Sequence, residues 1–214
     1  MRKAFEKQLD ELNVCLIKMG ALCEKAIIGT TGALFAGDAE YLNQCKMAEE
    51  EIDRCEKEIE NLCMGLFLKH QPVASDLRTI SSALKMISDM ERIGDQCVDI
   101  SSMIKFTKGQ DINTYQHLDE MSKAATKMVS DAVESYVHKD LELAKKVMEY
   151  DDVVDSKFDE AKSHLIKLIS QKPENGEFWI DVIMIAKYYE RIADHAVNIA
   201  EWVEYSITGE HKKI

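Results

Sequence analysis

Apolar residues recur every three or four positions along this chain, in long runs that few helix-breaking residues interrupt. In the segment 83–104 they follow an alternating 3,4 spacing, and adding 99 to each position gives residues that are again apolar or aromatic. These positions are Ala83, Met86, Met90, Ile93, Cys97, Ile100, Ile104, Val182, Ile185, Tyr189, Ile192, Ala196, Ile199 and Val203. A period of about 3.5 residues predicts the buried seam of a helical bundle.

The apolar period and the breaking residues together predict six long helices and no strand. They cover residues 4–36, 39–69, a third stretch that ends near 106, 113–138, a fifth that ends near 171, and 176–207. The breaks fall at Gly37, Pro72, Lys108-Gly109 and Pro173. Asp38 and Asp140 are predicted to cap the second and fifth helices, and Ser75 or Asp76 the third, because short polar side chains accept hydrogen bonds from the first helical turn.

The second half of the chain repeats the first. Asp38 and Asp140 are 102 positions apart, Pro72 and Pro173 are 101 apart, and Glu-Arg-Ile at 91–93 returns at 190–192. The offset changes only between helices, where small deletions are tolerated. The chain is therefore predicted to be all-α, with an internal duplication that gives two tandem three-helix bundles, residues 1–108 and 109–214.

Charge and cysteine usage narrow the class of protein. The sequence has 39 acidic and 27 basic residues, a net charge of −12, and such a surface repels nucleic acid and anionic lipid and attracts cations. All six cysteines lie in the first half. There is no signal peptide at MRKAFEKQLDEL and no apolar run close to the roughly 18 residues that a membrane span needs. We expect reduced thiols that fill the core of a cytoplasmic protein, with no membrane insertion.

The third and sixth predicted helices carry acidic side chains four residues apart. Each carboxylate pair at this spacing repels by roughly 0.2–0.5 kcal/mol, so the arrangement costs helix stability unless a cation neutralises it. The second and fifth helices carry similar pairs, again 102 positions apart. If the faces meet, the candidate metal ligands are Glu49, Asp53, Glu91, Asp95 and Asp99 in the first unit, and Asp151, Asp155, Glu190, Asp194 and Asn198 in the second.

Oxygen ligands suit hard ions such as Mg²⁺, Ca²⁺, Mn²⁺ or iron better than Zn²⁺. The sequence has no Glu-x-x-His motif of the ferritin type, no glycine-rich phosphate loop and no Gly-x-Ser-x-Gly. Cysteine and histidine are nowhere paired at helical spacing. The sequence therefore predicts a metal-binding protein without a catalytic apparatus.

Three motifs in this chain resemble the PhoU family. They are Glu-Arg-Ile-Gly-Asp from 91, Glu-Arg-Ile-Ala-Asp-His-Ala-Val-Asn-Ile-Ala-Glu from 190, and the opening Phe5, Leu9 and Leu12. The resemblance implies a cytoplasmic, non-enzymatic regulator of phosphate uptake and of the phosphate-starvation response, commonly a homodimer. It would link the ATPase of the phosphate-specific ABC transporter to a sensor histidine kinase.

The resemblance also implies multinuclear metal clusters on Glu/Asp-x-x-x-Asp motifs. They correspond to Glu49/Asp53, Glu91/Asp95, Asp151/Asp155 and Glu190/Asp194 in this sequence. The chain departs from the usual family pattern at Met90 and Tyr189, where leucine is usual, and at Gln96-Cys97, where His-Ala is more usual. Asn198 in place of a carboxylate makes the second site one charge weaker.

Two other classes of protein fit parts of the sequence. One is an acidic helical scaffold that binds a basic partner through its charged faces. The other is a metal-dependent hydrolase, since multinuclear carboxylate sites can activate water. For the hydrolase, the only cationic candidates for anion binding beside the acidic stripes are Arg92 and Arg191.

Overall fold

The computed structural model describes residues 2–70, 72–107 and 116–210, and within them the chain is helical without any strand. The helices are α1 (Arg2–Ala36), α2 (Ala39–His70), α3 (Ala74–Thr107), α4 (Gln116–His138), α5 (Leu141–Gln171) and α6 (Gly176–Thr208). A 3-10 turn, Pro173–Asn175, precedes α6. The predicted all-α class with six helices is confirmed. None of the helices described has both the length and the apolar content that a membrane span requires.

The two three-helix units pack side by side and share one core. Within the first unit α1 contacts α2 and α3, and within the second α6 contacts α4 and α5. The units meet where α3 packs on α6 and α1 packs on α4, while α2 and α5 lie on the outside. All residues of the predicted seam are buried, at 5% exposure or less. Burial of each large aliphatic side chain contributes about 1.5–3 kcal/mol, so the seam accounts for much of the folding free energy.

Two buried tyrosines form hydrogen bonds across the junction of the units. The Tyr189 hydroxyl, on a fully buried side chain, lies 2.9 Å from Thr31 Oγ1. The Tyr136 hydroxyl donates to the Thr79 carbonyl at 3.0 Å. Burial raises the pKa of both phenols well above the ordinary value. Both tyrosines therefore act as neutral hydrogen-bonding groups between the units.

The helix caps agree with the sequence at two of three places. Asp38 Oδ1 accepts from Glu40 N at 2.9 Å, and Asp140 Oδ1 accepts from Leu143 N at 3.0 Å. The predicted cap at Ser75 or Asp76 is wrong. Leu77 N donates to Val73 O at 2.9 Å, so α3 begins earlier and both residues lie in its first turn. Pro72 cannot continue α2, because proline lacks the backbone N–H that a residue inside a helix donates.

The predicted boundary at Lys108-Gly109 and the first three residues of the predicted fourth helix, 113–115, lie outside the described residues. The prediction that the cysteines fill the core is confirmed for five of the six thiols, which are buried. That the thiols are reduced in the cell stays a prediction. Burial raises the pKa of Cys63 to about 12 and that of Cys97 far above its ordinary value. These cysteines are therefore apolar filling for the first unit.

Candidate functional site

Acidic side chains of α2 and α3 face one another in the first unit. Burial raises the pKa of Glu49, and the charges of Asp53 and Asp95 raise it further. The pKa of Asp95 is raised first by burial and then by Asp53 and Asp99. The structure thus brings the predicted ligands Glu49, Asp53, Glu91 and Asp95 near enough for their charges to interact between α2 and α3. Asp99 is exposed and interacts with Asp95 of its own helix. We call these five side chains the first acidic cluster.

Glu56 also belongs to the first acidic cluster, although the sequence analysis did not select it. Its pKa is raised by burial, then by Glu60 and Asp53, and its own charge raises the pKa of Glu91. Glu56 follows Glu49 by seven residues, which is two helical turns and therefore the same face of α2. A sequence pattern of carboxylates seven residues apart, as well as four, would have identified Glu56.

A glycine on α3 permits the close approach that creates this cluster. A Cβ atom at Gly94 would lie 3.2 Å from Ile52 Cδ1 and 3.7 Å from Glu49 Cγ. The glycine lies between Glu91 and Asp95, so α2 and α3 are in close contact beside the acidic row. The corresponding residue of the second unit is Ala193, which is also small and fully buried.

A second acidic cluster, made of Asp151, Asp155, Glu190 and Asp194, lies between α5 and α6. Burial is the main cause that raises the pKa of Asp151 to about 6, and the charges of the other three carboxylates add to it. Asp151 Oδ1 is buried and has no hydrogen-bond partner among the described residues. A bound cation or a proton would each satisfy this oxygen.

The second acidic cluster contains a lysine that has no counterpart in the first. Lys187 forms an ion pair with Glu190, whose side chain is almost fully buried. The Lys187 charge also counteracts the burial that raises the pKa of Asp194. The corresponding position in the first unit is Ser88, which is neutral. The second cluster is therefore partly neutralised by the protein itself.

The tenth predicted ligand, Asn198, makes a contact that the sequence did not predict. Its Nδ2 donates to Asp89 Oδ1 at 3.1 Å, across the α3–α6 interface. His195 Nδ1 lies 2.9 Å from the same oxygen. The Asn198 amide nitrogen is thus directed to the first unit. Asp89 was missed because its partners come from the other unit, and only the packing of α3 on α6 reveals them.

The donor set in both clusters consists of carboxylate oxygens, which fit hard cations such as Mg²⁺, Ca²⁺, Mn²⁺ or iron better than Zn²⁺. Among the residues described, no three His, Cys, Asp or Glu side chains stand close enough together to hold an ion without moving. A cation would therefore draw carboxylates of two helices toward each other. The partnerless Asp151 oxygen is one atom ready for such a contact.

Comparisons with known proteins agree with the repeat. The model of the PhoU domain family matches residues 16–104 and again residues 118–203. A protein of Clostridium acetobutylicum named phosphate-specific transport system accessory protein PhoU homolog is 34% identical over 210 residues, 97% of this chain and 96% of that protein. A protein of the same name from Aquifex aeolicus is 35% identical over 186 residues, 86% of this chain and 84% of the other.

Solved structures extend the agreement to the fold. The crystal structure of PhoU from Pseudomonas aeruginosa superposes with a TM-score of 0.90 and 30% identity, covering 96% of this chain and all of that one. The phosphate transport system regulatory protein PhoU from Streptococcus pneumoniae, at 24% identity, shares the fold with a TM-score of 0.87 over 98% of this chain. The sequence repeat, the six-helix architecture and these matches along nearly the whole chain show that it belongs to the PhoU domain family.

Proposed function

We propose that this protein is a negative regulator of phosphate uptake and of the phosphate-starvation response, and that it acts by contact rather than by catalysis. In this proposal it is a cytoplasmic homodimer. It links the ATPase of the phosphate-specific ABC transporter to a sensor histidine kinase, and it binds metal ions on its two acidic clusters. The observation that carries the proposal is the duplicated PhoU domain match, which covers most of the chain.

The names of the relatives supply the biological process. Two relatives that are matched over 96% and 99% of their own length are named as homologs of the accessory protein PhoU of a phosphate-specific transport system. The net charge of −12 disfavours contact with DNA, so any control of transcription should pass through another protein.

Exposed apolar side chains support action through protein contacts. On α1, Val14, Ile17 and Ile28 are 65%, 49% and 57% exposed. Ile28 lines a groove of about 830 Å³ between α1 and α4, together with Phe35 and Lys127. Apolar side chains beside charged ones on a long helical face are typical of surfaces that bind other proteins.

The two acidic clusters support the metal-binding part of the proposal. Burial and mutual repulsion raise the pKa of most of their carboxyl groups, which means that the anions are poorly stabilised by the protein alone. A hard cation would remove this penalty and hold α2 against α3, and α5 against α6. The metal would thus be structural, setting the shape of the outer faces that partners contact.

A gene deletion in the host tests the regulatory role. The deletion strain, grown in phosphate-rich medium, should transcribe its phosphate-starvation genes, and re-expression of the wild-type chain should restore repression. The reporter is transcription of a starvation gene, measured at high and low phosphate. Normal repression in a deletion strain that holds no second copy would refute the proposed function.

A pull-down tests the proposed partners separately. The tagged protein, purified from cells grown in ample phosphate, should retain the transporter ATPase and the sensor kinase, identified by mass spectrometry. A kinase-deleted strain serves as the control, because the ATPase should still be retained there. Retention of neither protein after cross-linking would refute the adaptor mechanism while leaving the genetic result intact.

A further inference from the structure

A continuous groove runs along the surface between α1 and α4. Its wide part, about 830 Å³, lies between the later turns of α1 and the earlier turns of α4, and a narrower part of about 250 Å³ lies between the earlier turns of α1 and the end of α4. The two parts are continuous because Glu24 and Ser130 line both. We call this surface the α1–α4 groove. It is lined by Ile17, Glu24, Ile28 and Phe35 of α1 and by Ser130 and Glu134 of α4, and by none of the predicted metal ligands.

The dimensions of the α1–α4 groove fit one helix. A Cβ atom at Gly20 would lie only 3.0 Å from Val133 Cγ2, so α1 and α4 are in close contact at this point and the groove lies above them. The exposed apolar side chains extend from Ile17 to Phe35, a distance of about 27 Å at 1.5 Å per residue. Grooves with exposed apolar side chains over such a length bind the apolar face of an amphipathic helix.

The two lysines that line the α1–α4 groove already have acidic partners on their own helix. Lys123 Nζ lies 2.6 Å from Asp119 Oδ2, and Lys127 forms an ion pair with Asp131. Both aspartates also line the groove. The positive charges of α4 are therefore cancelled within α4, and they do not compensate the remaining carboxylates of the groove.

The remaining carboxylates, Glu24 and Glu134, are not compensated. Neither has a lysine or arginine three or four residues away, and neither forms an ion pair within residues 2–70, 72–107 and 116–210. Glu24 is already half-buried. A molecule that covered the groove would remove its carboxylate from water, which is costly unless a cation is placed beside it. An occupant of the groove therefore has to supply a positive charge near the middle.

We propose that the α1–α4 groove is the docking site for an amphipathic helix of a partner protein. The apolar stripe of that helix lies against Ile28 and Phe35, and a basic side chain at its middle pairs with Glu24 and Glu134. The docking site rests on the proposed function, because a regulator that acts by contact needs a surface for its partner. A second copy of this chain would bring the same two unpaired glutamates to the interface, so like charges would oppose its binding.

Calorimetry on the full chain with a pair of synthetic helical peptides tests the docking site. Each peptide has about 18 residues, the length of the groove, with the same leucine stripe, two arginines and two glutamates, so that the net charges are equal. In the first peptide the arginines lie in the central turns and the glutamates at the ends, and the second peptide exchanges them. The first peptide should bind at least about tenfold more tightly. Equal binding of the two peptides, or binding of neither, would overturn the proposal.

Matched variants locate the bound peptide. Ile28→Asp should weaken the first peptide at least about tenfold, whereas Ile166→Asp, at a similarly exposed position on α5, should leave its affinity unchanged. Glu24→Lys/Glu134→Lys should reverse the preference and favour the second peptide, a result that general damage to the fold would not produce. If Ile28→Asp lowers the melting temperature, the exposed Ile17→Asp is the second variant and should also weaken binding. Undiminished binding in a folded groove variant, or an unchanged preference in the charge-reversed variant, would refute the site.

The aspartate variants also separate the docking site from the proposed function. In the pull-down from phosphate-rich cells, Ile28→Asp should lose the transporter ATPase or the sensor kinase, and Ile166→Asp should retain both. Retention of both by Ile28→Asp would refute docking in the groove and leave the regulatory role standing. Normal repression in the deletion strain would instead refute the regulatory role, and the peptide titrations would still decide the groove. Conversion of a dimer to a monomer by Ile28→Asp, measured by analytical ultracentrifugation, would show that a second copy occupies the groove and would overturn the proposal.

Discussion

His195 Nδ1 lies 2.9 Å from Asp89 Oδ1, and this contact joins α6 to α3 across the interface between the two units. Asn198 Nδ2 donates to the same oxygen at 3.1 Å. Asp89 is only 8% exposed, so one poorly hydrated carboxylate oxygen receives two groups of the opposite unit. Asp89 precedes the first acidic cluster by two residues, and His195 follows Asp194 directly. The contact therefore ties together the helices that carry both clusters.

Removing the Asp89 carboxylate should destabilise the protein. In Asp89→Ala the partly buried groups of His195 and Asn198 lose their shared partner, and the free energy of unfolding should fall by about 1–3 kcal/mol. Asp89→Asn retains one oxygen and should lose less. Urea denaturation followed by circular dichroism measures both changes. Asp99→Ala, at an exposed position on α3, is the control, and an equal effect of Asp99→Ala and Asp89→Ala would contradict the structural role of the contact.

The turns after α1 and α4 each contain a residue in the left-handed region, Gly37 with φ of 69° and Lys139 with φ of 52°. Glycine adopts this conformation freely, whereas a lysine does not, so the two turns allow a test of backbone strain. Lys139→Gly should relieve a left-handed strain of about 1–2 kcal/mol and lose about 0.4–1 kcal/mol through the more flexible unfolded chain, a net gain of about 0.5 kcal/mol. Gly37→Ala should instead cost about 1 kcal/mol. No neighbouring atom lies within 4 Å of the Cβ position at Gly37, so its loss would come from the backbone alone.

Thermal and urea unfolding of both turn variants, with Lys139→Ala as the control, would distinguish strain from side-chain effects. The alanine retains the strained backbone and should change stability little. Destabilisation by Lys139→Gly would show that the turn is not strained.

The helices could be predicted from the sequence because one local pattern determines them. Each seam residue, such as Met90 or Tyr189, recurs at a spacing that only a helix buries on one face. The carboxylate pairs of the two acidic clusters could also be predicted, because residues four apart lie on one face of a helix. Contacts such as Asp89 with His195 could not be predicted, since they depend on how α3 packs on α6.

Acid should stabilise the metal-free protein locally, at the second acidic cluster. The folded protein raises the pKa of Asp151 from its ordinary 3.8 to about 6, which means that folding favours the protonated form. The associated stability is fully present below about pH 4 and is lost as the pH rises through about 6. After allowance for solvent screening the loss is about 1 kcal/mol.

Asp151→Asn isolates this effect, because the amide has almost the same shape and no charge. At about pH 7.5 the metal-free variant should be more stable than the wild type by about 1 kcal/mol, and at about pH 4 the two should be equal. Asp159→Asn, an exposed acid on the same helix, is the control and should show no such pH dependence. A constant difference between variant and wild type across this pH range would exclude titration of Asp151 as the cause.

Metal binding by the first acidic cluster should depend on both of its helices. Hard cations need several oxygen ligands at once, so the double variant Glu91→Ala/Asp95→Ala should abolish binding at that cluster and leave the second cluster intact. The bundle should stay folded, and relief of carboxylate repulsion should stabilise the metal-free form by a few tenths of a kcal/mol. Titration with Mn²⁺, followed by metal analysis of the purified protein, gives the stoichiometry.

The matched control for this titration is Asp159→Ala/Glu160→Ala, which removes two exposed carboxylates of α5 and so reduces the net negative charge by the same amount. If the Mn²⁺ stoichiometry falls equally in both double variants, binding reflects overall charge and not a site. If it falls only in Glu91→Ala/Asp95→Ala, the ion is held where α2 and α3 face each other. Glu56→Ala provides a further check, because the side chain lies in the same cluster and should weaken Mn²⁺ binding without abolishing it.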